Sequence, residues 1–88
     1  MGKYKFVLVK VTDVHAREVR EIKCQTDEEA IEKGKEILFG IEPPARGYYL
    51  KIQRVKEYVG EKILTEIFYS SYSKLLAEIV QVISGNCK

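Results

Sequence analysis

The chain has 88 residues, 45% of them hydrophobic and 32% charged, with fifteen basic residues against thirteen acidic for a net charge of +2. That length allows one compact domain, residues 1–88, which buries roughly 60–65% of its unfolded surface. The composition excludes a disordered chain, the even charge excludes a global attraction for polyanions, and no apolar run approaches the ~18 residues of a membrane span.

The start, Met1-Gly2-Lys3-Tyr4-Lys5, has no secretory core, because Phe6–Val9 is followed at once by Lys10. Phe6 also stands where a myristoylation signal needs Ser or Thr. A cytoplasmic location is therefore expected. The first strand spans 4–12. Val7, Val9 and Val11 lie on one face, and Tyr4, Phe6 and Leu8 on the other. Apolar residues on both faces mark an interior strand or one at an interface. Thr12-Asp13-Val14-His15-Ala16 makes the turn. The second strand, 17–25, is more polar, and Val19, Ile22 and Cys24 break the two-residue period once, which predicts a bulge or an edge position.

Thr26 opens a helix as its N-cap. Glu29 completes a capping box, and Asp27 and Glu28 place negative charge at the positive end of the helix dipole. Ala30, Ile31, Gly34, Ile37, Leu38 and Ile41 form its buried stripe, while Glu28, Glu29, Glu32, Lys33, Lys35 and Glu36 face water. Gly34 within that stripe predicts a close approach to the sheet. Gly40 is expected to stop the helix, and Glu42-Pro43-Pro44-Ala45-Arg46-Gly47 is a stiff connector.

A third strand, 48–59, alternates at Leu50 and Ile52 and slips phase at Val55, which predicts a bulge there. Gly60-Glu61 is the expected tight turn. In the fourth strand, 62–69, Ile63, Thr65, Ile67 and Tyr69 alternate against Leu64, Glu66 and Phe68. Ser70 or Ser71 caps a last helix with the stripe Tyr72, Leu75, Leu76, Ile79, Val82 and Ile83, ended by Gly85-Asn86.

The order is ββαββα. The second strand, first helix and third strand make a right-handed crossover. With the two-faced first strand in the gap, the sheet reads 2-1-3-4, a split β-α-β in which all neighbours are antiparallel. One helix covers one face. The second joins it or covers the opposite face.

No cluster of residues points to a reaction, so a non-catalytic protein without cofactor or metal is expected. Asp13 and His15 are close in sequence but lie in a turn with no nucleophile nearby. Cys24 reads as a packed strand thiol and Cys87 as a tail thiol, and the pair is too few for a structural zinc site. A disulfide between them is unexpected in a reducing compartment. The scarcity of Asn and Gln and the wealth of Lys, Glu, Ile and Val lean toward a thermophile-like composition, where such a bond is commoner.

Binding surfaces are better supported. Arg46, Tyr48, Tyr49, Lys51, Arg54 and Lys56 interleave basic and aromatic side chains, a pattern that suits RNA or single-stranded nucleic acid through stacking and phosphate contacts. The alternative is a homodimer or protein-interaction domain. If both helices choose one face, the other face of the first strand needs a partner, with Phe6 and Leu8 or Val7, Val9 and Val11 as interface candidates.

Asp27-Glu28-Glu29-Ala30-Ile31-Glu32-Lys33, then Gly40, then Leu50-Lys51-Ile52-Gln53-Arg54-Val55-Lys56-Glu57 carry a resemblance to archaeal ribosomal protein LX over residues 26–58. The resemblance implies two strands, a helix and two strands, and an association with ribosomal RNA. That family's strongly basic loop after the helix is here Ile41-Glu42-Pro43-Pro44-Ala45-Arg46-Gly47, which leaves the implication mainly one of fold.

Overall fold

The computed structural model describes residues 2–10, 12 and 15–86, with side chains through Val80. Its elements are β1 (Gly2–Val9), β2 (Glu18–Cys24), α1 (Asp27–Gly40), β3 (Tyr49–Tyr58), β4 (Glu61–Ser71) and α2 (Tyr72–Asn86). They form one four-stranded sheet in the order β2-β1-β3-β4, antiparallel at every step, as the split β-α-β reading expects.

The register assigns the faces. Tyr4, Phe6 and Leu8 of β1 stand beside Arg54, Ile52 and Leu50 of β3, and α1 lies over them. Phe6, Leu8, Leu38, Leu50 and Ile52 are fully buried there. An added Cβ at Gly34 would lie 2.5 Å from Ile52 Cδ1, so the glycine does set how closely α1 rests on the sheet. Thr26 Oγ1 accepts from Glu29 N at 3.1 Å, while Glu29 Oε2 accepts from Gln25 N at 3.3 Å. The capping box is thus closed one residue further back than the usual pattern.

Several local expectations are corrected. β1 ends at Val9, and Thr12 already lies in the turn; Val11 and Asp13 are outside the described residues. For β2 the expectation of a bulge or an edge position resolves to the edge, since it pairs with β1 without interruption. Its apparent break arises because Ile22 and Cys24 face α1 while Val19 turns to the other face, opposite Val7. Gly40 is the last helical residue and has no left-handed backbone. The helix stops at Ile41, which turns extended (φ −74°, ψ 133°) ahead of the prolines.

Val55 keeps the alternation of β3. The irregularity lies at Ile52/Gln53 against β4, where Ile67 is the extra residue. That bulge moves Tyr69 onto the face of Leu64 and Glu66, and Phe68 onto the face of Ile52, reversing the simple alternation. The β3–β4 turn is Val59-Gly60, with Glu61 already paired to Tyr58. Both turn residues have positive φ, 49° and 82°, as a two-residue hairpin requires.

The last helix is capped by Ser71, whose Oγ accepts from Lys74 N at 3.1 Å. It joins α1 on the same side of the sheet. Leu75 is buried in the cluster beneath α1, and Tyr72 packs on Phe39 with ring centroids 5.5 Å apart. Among the described residues the opposite sheet face carries no helix. Val82 and Ile83 lie beyond the described side chains, and Cys87 lies beyond the described residues.

Candidate interaction surface

The helix-free face is read across the strands from the register. β2 contributes Val19, Glu21 and Lys23, and β1 contributes Lys3, Lys5, Val7 and Val9. From β3 come Tyr49, Lys51, Gln53, Val55 and Glu57, and from β4 come Lys62, Leu64, Glu66 and Tyr69. Val7 is sheltered by its neighbours, but Val19, Leu64 and Tyr69 are 51%, 43% and 47% exposed. A hollow of about 240 Å³ runs across this face, lined in part by Lys5, Val19, Val55, Lys62 and Leu64. Charges on it are mixed: Lys3 meets Glu57 at 3.6 Å, and Lys5 stands opposite Glu21.

The sheet does not bring the six basic and aromatic candidates together. Tyr49 and Lys51 lie on the helix-free face. Arg54 lies on the α1 face, where its Nη2 donates to Asp27 Oδ2 at 2.6 Å and its Nε to Oδ1 at 3.3 Å. Lys56 is exposed on that same face, and Arg46 is exposed in the connector. Tyr48 sits at the head of β3, with Lys10 Nζ and Arg17 Cζ 5.0 and 5.1 Å from its ring centre. Its ring is therefore already engaged by cations.

Of the interface candidates, Phe6 and Leu8 are sealed beneath α1, so they are core residues rather than a docking surface. Val7 and Val9 are on the helix-free face, and Val11 falls outside the described residues.

Two features were not foreseen. Tyr49 and Tyr69 stack at 5.3 Å and 14°, an arrangement produced by the Ile67 bulge. Phe39, absent from the expected stripe of α1, faces α2. With Leu75 and Ile79 it floors a groove of about 570 Å³ rimmed by Glu32, Lys35, Glu36 and Glu78. Outside that groove Leu76 and Val80 of α2 are also exposed.

The titratable groups with shifted equilibria lie on the α1 side of the sheet. Arg54, then Tyr4, donate to Asp27 and hold its carboxyl below the usual range. Hydrogen bonding to Asp27 and burial push the Tyr4 phenol up. Burial, helped by the charge of Glu29, raises the Cys24 thiol and keeps it protonated, as befits a packed thiol. Among the described residues no three His, Cys, Asp or Glu side chains gather where a metal could bind. Among them, too, no helix is long and apolar enough to cross a membrane. No family model, curated protein or solved structure matches this chain.

Proposed function

We propose that this chain is a small non-catalytic protein-interaction module that works as a homodimer. The observation that carries the reading is the number of large apolar side chains left in water on β4 and α2: Ile63, Leu64, Tyr69, Leu76, Ile79 and Val80, each at least 40% exposed. Both helices lie on one sheet face, and among the described residues nothing covers these side chains. On α2, Leu76, Ile79 and Val80 stand at i, i+3 and i+4 and so adjoin one another; an apolar patch of this kind marks an interface, and a two-fold dimer is its commonest resolution. A cytoplasmic setting fits the free, buried thiol of Cys24. Light scattering over a dilution series tests the reading. A mass of 2 × 10.2 = 20.4 kDa is expected, and 10.2 kDa at every concentration would reject it.

A second reading is favoured by the Tyr49–Tyr69 stack beside Lys51. A half-exposed tyrosine next to a lysine on an open sheet is the kind of platform that stacks a base of RNA or single-stranded DNA. It ranks second because Arg54 is held by Asp27 and Tyr48 by Lys10 and Arg17. A salt-titrated binding assay with both nucleic acids decides it. Binding that weakens steeply with salt supports this reading, and no binding at low salt removes it.

A further inference from the structure

Strand β4 is eleven residues long and forms one edge of the sheet. On the helix-free face its first half presents Lys62, Leu64 and Glu66, opposite Glu57, Val55 and Gln53 of β3. All three are exposed, and among the described residues neither Lys62 nor Glu66 has an ion-pair partner within the chain. An edge strand offers a row of unpaired N–H and C=O groups to any matching strand.

This short pattern is its own complement. In an antiparallel pairing, a two-fold axis normal to the sheet through Leu64 sets Leu64 against Leu64 of a second copy. The same register places Lys62 opposite Glu66 and Glu66 opposite Lys62, two cross-strand ion pairs on one face. On the other face Ile63, which is 50% exposed, meets Thr65. Directly opposed side chains of this kind come within roughly 4.5–5.5 Å at Cβ. Moving the axis by one residue destroys both ion pairs: centred on Ile63, Lys62 faces Leu64, and centred on Thr65, Glu66 does. The bulge at Ile67 ends the regular ladder where the pairing would end. α2 leaves β4 at Ser71, the opposite end of the strand from Glu61–Glu66. The other sheet edge also admits a charge-matched register, with Glu21 opposite Lys23 about Ile22, but there the axial side chain is turned under α1 and only 7% exposed, whereas Leu64 is 43% exposed and supplies an apolar contact on the axis.

We infer that the free edge of β4 pairs with β4 of a second copy about Leu64, joining two four-stranded sheets into one of eight strands with Lys62–Glu66 ion pairs on either side of the axis. The inference rests on the homodimer reading above and names the surface. An isologous contact of this form closes on itself, so it gives a dimer and not a fibre.

The test uses two charge reversals, Lys62→Glu and Glu66→Lys, in the full chain. Each variant alone places like charges opposite one another twice, and its dimer dissociation constant should rise by roughly tenfold or more. In an equimolar mixture of the two, both opposed pairs become complementary, so the mixture should return to the dimer mass. The variant carrying both reversals should do the same. A reversal that merely unfolded the chain would not be rescued by mixing. If the wild-type chain is dimeric, both reversals leave its mass unchanged and Leu76→Glu dissociates it, this edge is overturned while the homodimer reading stands. A monomeric wild-type chain overturns both.

Discussion

Asp27, the first residue of α1, accepts two hydrogen bonds from Arg54 of β3, at 2.6 and 3.3 Å, and so ties the helix N-terminus to the sheet. Tyr4 of β1 donates to the same carboxylate at 2.6 Å, so three elements meet at one side chain. The fold holds the Asp27 pKa below its unfolded value of about 3.9. Its contribution to stability is therefore complete above that value and is lost as pH falls through the folded one. Urea unfolding as a function of pH should show an acid loss in the wild-type chain that Asp27→Asn lacks. Equal acid slopes in the two proteins would contradict the assignment.

The same cluster has an alkaline signature. The Tyr4 phenol is raised chiefly by its hydrogen bond to Asp27, so the stability it adds is present below about pH 10 and lost as pH rises through the folded value. An ultraviolet absorbance titration of the six tyrosines should show one that ionises late. Asp27→Asn should bring that tyrosine back toward the others, and Tyr4→Phe should remove it at a cost of about 1 kcal/mol for the lost hydrogen bond.

Val59 is 93% exposed and sits at φ 49° in the β3–β4 turn, a conformation that strains a β-branched residue by about 1–2 kcal/mol. No packing offsets it. Val59→Asn, which tolerates this region, should stabilise the chain by about 0.5–1.5 kcal/mol and raise Tm by several degrees. A lower Tm would mean that the valine is held by a contact outside this chain.

Gly34 and Ile52 should be coupled. Gly→Ala inside a helix ordinarily gains about 1 kcal/mol, but here the new methyl meets Ile52 Cδ1, so Gly34→Ala alone should give no gain or a loss. Ile52→Val deletes that Cδ1 and should cost about 0.5–1.5 kcal/mol on its own. The double variant should be more stable than the sum of the two by about 0.5–1 kcal/mol. Additive values from denaturant unfolding would contradict the close approach.

Much of the frame was legible because it is local. Thr26 and Glu29 announce α1 within four residues, and the two-faced run in β1 forces that strand into the sheet interior. What stayed hidden depends on distant residues. Arg54 reads as a free cation until Asp27, far away in sequence, is folded against it. Tyr69 changes face because of one extra residue at Ile67, which no alternation pattern reveals. Lys62, Leu64 and Glu66 become a complementary set only once β4 is known to be an edge.

The most direct test of the central claim is hydrogen exchange at β4 as a function of protein concentration. The account predicts that outward amides within residues 61–67 are protected at high concentration and exchange freely on dilution, while the β2 edge, Glu18–Cys24, is unaffected. Exchange at β4 that does not change with concentration would contradict it.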